Sequence, residues 1–348
     1  MTTTQSQPGN SHVVSLAEEV RPGDSLWMDA LKRLARNRMA VLGLIIIFMF
    51  ILMAIFADVL APKDYATQVL MDNNAAPQWV IDLFPIMKSK ADGGYVTVSD
   101  EYPLGADDLG RDILSRIIYG SRVSLAIAFV GPLVSILLGV PLGLIAGYFG
   151  GRIDNIIMRV VDIFYAFPTL LVIILMMAYF RGAFSEASQA GTLGYTLYLA
   201  DRSMGGMLFI FIGVGITSWV GLARLTRGEV LSAREREYVL AARSIGARQS
   251  TIIFRHVMPN VIGPLIVAET LTIPVYIRYE AFLSFIGLGV NRPTPSWGSM
   301  ISDGSKAIAS YPNQAIFPAI ALFLIMFAFN FLGDGLRDAL DPRMRGQD

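Results

Sequence analysis

Four ionisable residues lie within or beside apolar stretches of this 348-residue sequence, where a charge could bind a ligand or pair with another charge inside a membrane: Asp162, Glu269, Arg278 and Glu280. A charge in the bilayer interior costs several kcal/mol unless it is paired or hydrated, so each is a candidate for function. Asp162 follows Arg159 by three residues, and this spacing predicts an ion pair between neighbouring helical turns at the end of an apolar run.

Glu269 is the most informative of the four. If a helix begins at Pro259, Glu269 lies about 15 Å along it, near the middle of a bilayer, because each helical residue adds about 1.5 Å. Arg278 and Glu280 then lie about 30 Å along, where water or connecting loops are expected to solvate them. A carboxylate at mid-span predicts either a place on a transport path or a pairing with another charge.

Little other chemistry is open to this chain. It has no cysteine and two histidines, which excludes disulfides and thiol catalysis and leaves too few ligands for a typical zinc site. The phosphate-binding pattern GxxxxGK[ST] does not occur, so we expect no nucleotide, metal or other cofactor in this chain. The formal net charge is zero, and nothing indicates a nucleic-acid partner.

The elements that must position these groups are apolar helices. Hydrophobic residues make up 54% of the sequence and charged residues 16%, and the apolar ones are concentrated in blocks. About 20 apolar residues cross a bilayer as one helix. Six blocks approach or exceed that length: 39–57, 123–151, 163–180, 203–223, 256–289 and 307–333. The sequence therefore predicts an all-α polytopic membrane protein with six transmembrane helices.

Lysine and arginine are enriched in alternate connections, and this asymmetry predicts that both termini are cytoplasmic. The predicted layout has five parts: a cytoplasmic tail (1–38), a first transmembrane helix (39–61), an extracytoplasmic segment ending in an amphipathic surface helix (62–122), a core transmembrane domain (123–333) and a cytoplasmic tail (334–348). Trp297 is expected to anchor an outer turn near the lipid headgroups. Gly139, Gly143 and Gly147 predict close packing between helices.

The basic cytoplasmic loop 224–256 contains a short candidate helix. Four of its residues recur at helical spacing and predict one apolar face: Tyr238, Ala241, Ala242 and Ile245. Gly246 suits a left-handed helix end, and Pro259 suits the first turn of the next helix, where its missing N–H costs nothing. The spacing alone fits equally a helix that docks another protein and a helix that packs beneath the bundle.

This loop is similar to the coupling loop of permeases from ATP-binding-cassette (ABC) importers. In that family Glu-Ala-Ala is followed after three residues by Gly, and after nine more by Ile-x-Leu-Pro. Ala241-Ala242, Gly246 and Pro259 keep the spacing here. Three positions depart from the pattern: Leu240 replaces the Glu, His256 the Ile and Met258 the Leu.

Further segments between about residues 30 and 345 resemble the C-type permease of oligopeptide and dipeptide importers. They are YPLGADDLGRDILSRIIYGSRVSL, GYFGGRIDNIIMRVVDIFYAFP, EREYVLAARSIGA, FRHVMPN, EAFLSFIGLGVNRPTPSWGSMISDG and FNFLGDGLRDALDPR. The resemblance implies the type I ABC importer permease fold, in the cytoplasmic membrane of a prokaryote. It also implies a transport subunit rather than an enzyme.

The resemblance further implies a set of partners: a second homologous permease, two ATPase subunits that bind ATP and Mg, and an extracytoplasmic peptide-binding protein. Seven residues are then expected to couple the ATPases to transport: Glu237, Tyr238, Ala241, Ala242, Arg243, Gly246 and Pro259. Within such a complex, Glu269 either lines the path and meets a peptide ammonium group or pairs with a charge on the second permease.

Two alternatives remain open at this point. Related importers carry nickel chelates, glutathione or antimicrobial peptides, and the sequence does not separate these cargoes from di- and oligopeptides. A self-sufficient secondary transporter is a different class, and it predicts inverted internal repeats. We find no such repeat in the sequence.

Overall fold

The computed structural model describes residues 26–184 and 191–340, and within these ranges the chain forms helices and loops but no β-strand. The predicted tails 1–38 and 334–348 lie partly outside the described residues. The α-helices are α1 (Leu26–Arg36), α2 (Arg38–Ile55), α3 (Ala57–Leu60), α4 (Gln78–Leu83), α5 (Ile113–Phe149), α6 (Gly151–Ala166), α7 (Thr169–Ala183), α8 (Leu193–Ser203), α9 (Met207–Arg234), α10 (Glu237–Ser244), α11 (Gln249–Thr251), α12 (Met258–Phe285), α13 (Trp297–Ser305) and α14 (Asn313–Leu340).

Five helical stretches of the described chain are long and apolar enough to cross a membrane: Arg38–Ile55, Ile113–Phe149, Met207–Arg234, Gln249–Phe285 and Asn313–Leu340. Helices α6 and α7 are together long and apolar enough to make a sixth crossing, although a bend of 82° separates them. The predicted span 163–180 is thus not one straight helix. Pro168 explains the break, because its ring disfavours the α conformation in Phe167, which is extended.

Helix α5 has 37 residues, or about 55 Å, and is much longer than a bilayer is thick. It begins at Ile113, and the carboxylate of Asp112 caps it by accepting the backbone N–H of Ser115 at 2.7 Å. Residues 113–122 continue without a break into the second span, so the prediction of a separate surface helix is wrong. The reason is that Ile113 and Ile117 on these first turns are buried in the main core.

Helices α5 and α9 pack against each other through the predicted glycines. Gly139, Gly143 and Gly147 are all buried on the face of α5 that meets α9. A Cβ atom at Gly143 would lie 2.5 Å from the carbonyl oxygen of Ala223, so only glycine permits this backbone approach. The predicted close packing is confirmed, and it lies within the chain.

The long helices define two ends of the bundle. We call the end that carries residues 61–112 the segment end, and the end that carries residues 235–248 the loop end. Residues 61–112 build a small folded unit with its own apolar core, formed by Ala76, Val80, Ile81, Met87 and Val96. This unit rests on the bundle, since the Tyr95 hydroxyl donates to the carbonyl oxygen of Ser310 at 2.9 Å.

Trp297 is part of the core at the segment end. It is 0% exposed, and its indole N–H donates to the carbonyl oxygen of Ile117 at 3.0 Å. The Phe50 ring meets it edge-on at 5.4 Å. The expectation of an anchor near the headgroups is therefore wrong. Gly120 of α5 leaves room for the indole, because a Cβ atom there would lie 3.2 Å from the ring.

Candidate functional site

The connection between α9 and the next span is shorter than the predicted loop 224–256. Helix α9 continues to Arg234, and helical structure resumes at Gln249. Helix α10 occupies most of the intervening residues 235–248. It begins at Glu237 and ends at Ser244, and Gly246 follows two residues later with a φ of +76°, the left-handed conformation that glycine favours. The Ala247 N–H donates to the Ala242 carbonyl at 3.1 Å and closes the end as the sequence predicted.

Two residues attach α10 to the bundle. Val239 is 0% exposed and Ala242 is 6% exposed, and both join an apolar cluster that includes Val230 of α9 and Ile252. Ala242 therefore faces inward, and the prediction that it shares one apolar face with Tyr238 is wrong. Its physical role is to let α10 lie close to the bundle, since a larger side chain would hold the helix away.

Another side of α10 is exposed in the part of the chain that the structure describes. Tyr238 and Ala241 are exposed, and Ile245 is 84% exposed. They follow one another at intervals of three and four residues, so they lie on one face of the helix. Glu237 and Arg243 are also exposed. A helix anchored by two small apolar residues thus presents an unusual apolar face at the loop end.

Pro259 lies in the first turn of α12, as predicted. However, α12 does not follow a loop, because a π-helical stretch, Ile252–Val257, joins it to α11 and makes one continuous helical stretch from Gln249. Proline cannot donate to the carbonyl four residues earlier, and the wider π turn accommodates this loss. The Asn260 side chain helps by donating to the His256 carbonyl at 2.7 Å.

Glu269 lies near the middle of the stretch Gln249–Phe285 and is 5% exposed. Each carboxylate oxygen accepts one hydrogen bond: Oε2 from the Ser135 hydroxyl and Oε1 from the Tyr276 hydroxyl, both at 2.9 Å. Sequence reasoning missed Ser135, because it belongs to α5 and no local spacing relates it to Glu269. These two bonds satisfy the carboxylate within the chain.

A cavity of about 360 Å³ lies beside this cluster. Its walls come from the bend between α6 and α7, from α9 and from α12, and they include Pro168, Ser218, Tyr276 and Tyr279. Glu269 itself does not line the cavity. Glu269 is connected to the cavity wall through Tyr276, which lines the cavity and donates its hydroxyl hydrogen bond to the carboxylate.

Comparison with known proteins decides which family has this arrangement. Residues 139–346 match the model of the binding-protein-dependent transport system inner membrane component, and residues 25–77 match that of the N-terminal transmembrane domain of oligopeptide transport permease C. The oligopeptide transport system permease protein OppC of Bacillus subtilis (strain 168) is 40% identical, over 92% of this chain and 91% of that protein. The chain belongs to this permease family.

Other members are similarly close. The dipeptide transport system permease protein DppC of Bacillus subtilis (strain 168) is 38% identical, over 93% of this chain and 88% of that protein. The glutathione transport system permease protein GsiD of Pectobacterium atrosepticum is 35% identical, over 92% of each chain. The all-helical permease fold and the resemblance to oligopeptide and dipeptide permeases are confirmed. The family is that of ABC importers, which argues against a self-sufficient secondary transporter.

The permease buries Glu280, so the expectation that water solvates it is wrong, whereas the expected contact with a connecting loop is met by Ser296. This residue is 1% exposed and accepts hydrogen bonds from the hydroxyl groups of Ser284 at 2.7 Å and Ser124 at 3.3 Å. The helix α5 extends past this level and covers it, which a span of ordinary length would not do. Arg278, two residues earlier, is exposed as predicted.

Asp162 pairs with a different arginine from the one predicted. Arg224 of α9 donates to Asp162 at 2.7 Å, and its guanidinium lies 4.2 Å from the centre of the Tyr165 ring. The i,i+3 partner Arg159 is exposed. Helix α6 packs against α9, and sequence spacing gives no sign of a partner on another helix.

Proposed function

We propose that this permease moves di- or oligopeptides into the cell as one half of a transmembrane pathway. The relatives named above carry oligopeptides, dipeptides or glutathione, which is itself a tripeptide. Free peptides share an ammonium group, a carboxylate and a polar backbone. A metal chelate is a less suitable cargo, because the chain has no cysteine and only two histidines to offer as ligands. Glutathione is the second candidate cargo, since a relative is named for it.

The exposed face of α10 supports the coupling role. An apolar face formed by Tyr238, Ala241 and Ile245 is costly in water unless another protein covers it. We propose that separate ATPase subunits, which bind ATP and Mg, cover this face. We propose that the exposed residues Glu237, Arg243, Gly246 and Pro259 belong to the same coupling region, whereas buried Ala242 holds α10 against the bundle. The loop end would then be cytoplasmic, and the segment end would receive peptide from an extracytoplasmic binding protein.

The full assembly in this proposal contains a second homologous permease, two ATPases and the binding protein. Closure of the ATPases would push α10, and the attached helices α9 and α12 would open the cavity to one side and then the other. Glu269 is proposed to act on this path through Tyr276, which it positions at the cavity wall.

Affinity purification from detergent-solubilised native membranes, with mass spectrometry, tests the assembly. Recovery of a second six-span permease and two phosphate-loop ATPases is the expected result. Recovery of the chain alone in several mild detergents would contradict it. Uptake of radiolabelled tri-alanine into proteoliposomes, in competition with excess unlabelled glutathione, then tests the cargo: strong competition would favour glutathione.

A further inference from the structure

A second cavity, of about 430 Å³, lies at the segment end, away from α10 and Glu269. It is bounded by the end of α12, the connection 286–296, α13, one residue of α5 and one of α7. Its charged lining is strongly unbalanced: four cationic residues, Arg116, Arg181, Arg292 and Lys306, face one acidic residue, Asp303. Polar side chains such as Asn291 and Ser299 complete the wall.

The acidic residue is already paired. Asp303 accepts from Arg292 at 2.8 Å and from Lys306 at 3.2 Å. Arg116 is also partly compensated, because its Nε lies 3.6 Å from the Asp107 carboxylate. Arg181 is the cation that remains without a carboxylate on the cavity wall.

Arg181 is half-buried at the end of α7 and has donors to spare. Its Nη2 donates to the carbonyl oxygen of Gly289, and its Nε is buried without a hydrogen-bond partner among the described residues. Asp201 is buried within electrostatic range of Arg181, but it accepts the Phe209 N–H and does not line the cavity. A buried guanidinium donor without an acceptor is costly, and a ligand oxygen would satisfy it.

Two helices connect this cavity to the one beside Tyr276. Helix α7 contributes Thr169 to the first cavity and Arg181 to the second, which is about 18 Å further along the helix. Helix α12 likewise contributes Tyr276 to the first and Phe285 to the second, about 14 Å apart. The two cavities therefore lie in sequence along the same pair of helices.

We propose that the segment-end cavity binds the carboxylate group of the cargo as it enters the path, with Arg181 as the principal contact. This inference rests on the proposed peptide cargo. A guanidinium binds a carboxylate through two parallel N–H donors, which a lysine ammonium cannot reproduce. The excess of positive charge on the wall also attracts an anion toward the mouth of the path.

The test compares tri-alanine with its C-terminal amide in proteoliposomes that contain the complete transporter and its binding protein. Arg181→Gln is expected to lower the ratio of tri-alanine uptake to amide uptake about tenfold relative to wild type, because a charge-assisted hydrogen bond is lost. Uptake of the amide should be unchanged, and Arg181→Lys should restore part of the ratio. Arg278→Gln is the matched control, since Arg278 is exposed on α12 and does not line the cavity. The binding protein is the same in every sample, so its own preference cancels.

An equal loss for both peptides would overturn the proposal and would indicate that Arg181 contacts a partner protein or supports the fold. An unchanged ratio would overturn it as well. If the wild-type transporter takes up neither peptide, the proposed cargo fails, and a binding measurement decides the site by itself. Because the chain has no cysteine, Ser302→Cys places a single thiol in the cavity. Protection of that thiol from maleimide by tri-alanine, and not by the amide, would support the carboxylate site; equal protection, or none, would overturn it.

Discussion

The two ends of the bundle are held together in different ways. At the segment end, residues 61–112 are fixed to α14 by buried polar contacts: the Gln314 amide donates to Asn74 Oδ1 at 2.7 Å, and the Asn313 amide donates to the Leu104 carbonyl at 3.0 Å. At the loop end, α10 is attached by the apolar side chains of Val239 and Ala242 and leaves its other side exposed.

This difference indicates which end of the bundle is rigid and which end is suited to bind a moving partner. Buried hydrogen bonds are directional, so they specify one geometry and resist displacement. Contacts between small apolar side chains allow a helix to shift by a small amount at little cost, provided that the contact area is kept. The loop end therefore suits a moving partner, and the segment end suits a stationary frame around an entrance.

The largest expected effect comes from charging the exposed face of α10. Ile245→Asp should reduce peptide uptake by about tenfold or more, because docking would bury an unpaired carboxylate. The thermal unfolding midpoint of the isolated permease should not change, since Ile245 is 84% exposed. Leu240→Asp is the control and should have a smaller effect, because Leu240 is also exposed but lies on a different side of α10 from Tyr238, Ala241 and Ile245. Normal uptake by Ile245→Asp would contradict the assignment of this face as the docking site.

A smaller effect on stability is expected from the polar ties of the segment end. Gln314→Leu removes the donor to Asn74 Oδ1 and to the Ala106 carbonyl and should cost about 1–3 kcal/mol, since buried acceptors are left unpaired. Thermal unfolding in detergent measures this loss. Gln78→Leu is the matched control, because the Gln78 side chain donates to the exposed Asp82 at 2.9 Å and no buried acceptor loses its donor among the described residues. Equal midpoints for the two variants would show that the buried ties do not hold the segment.

The smallest effect is expected from the ion pair near the loop end. The Asp162 side chain is 66% exposed and that of Arg224 41% exposed, so water screens the pair; Arg224→Gln should cost less than about 1 kcal/mol, and high salt should reduce that difference. Arg122→Gln at the segment end should cost more, because Arg122 also donates to the Ala54 carbonyl at 2.7 Å. A larger effect at Arg224 would reverse the contrast between the two ends.

The Arg122 site also predicts a direction with pH. Hydrogen bonds from Arg122 and Tyr119 hold the pKa of Asp58 below its usual range. A lowered pKa in the folded state means that the contribution of this pair is present above the ordinary pKa of aspartate, and is lost as the pH falls through the lowered value. The difference in unfolding midpoint between wild type and Arg122→Gln should therefore shrink toward acidic pH.

Several features followed from the sequence alone. Apolar blocks of sufficient length must form helices in a bilayer, because no water is present there to satisfy irregular backbone. The helix end at Gly246 and the close approach at Gly143 also followed, since both depend on the absence of a side chain. The spacing of Ala241, Ala242 and Gly246, together with the other motifs, was enough to place the chain in its family.

Other features were decided only by the tertiary structure. Glu269 and Glu280 look alike in sequence, as single carboxylates in one apolar block, yet their hydroxyl partners Ser135 and Ser124 come from a helix far away in the chain. Ala242 faces inward for a similar reason, because the helix face that is buried depends on where the bundle lies. Helical periodicity determines which residues share a face, and contacts between distant segments determine which face is covered and which charge is paired.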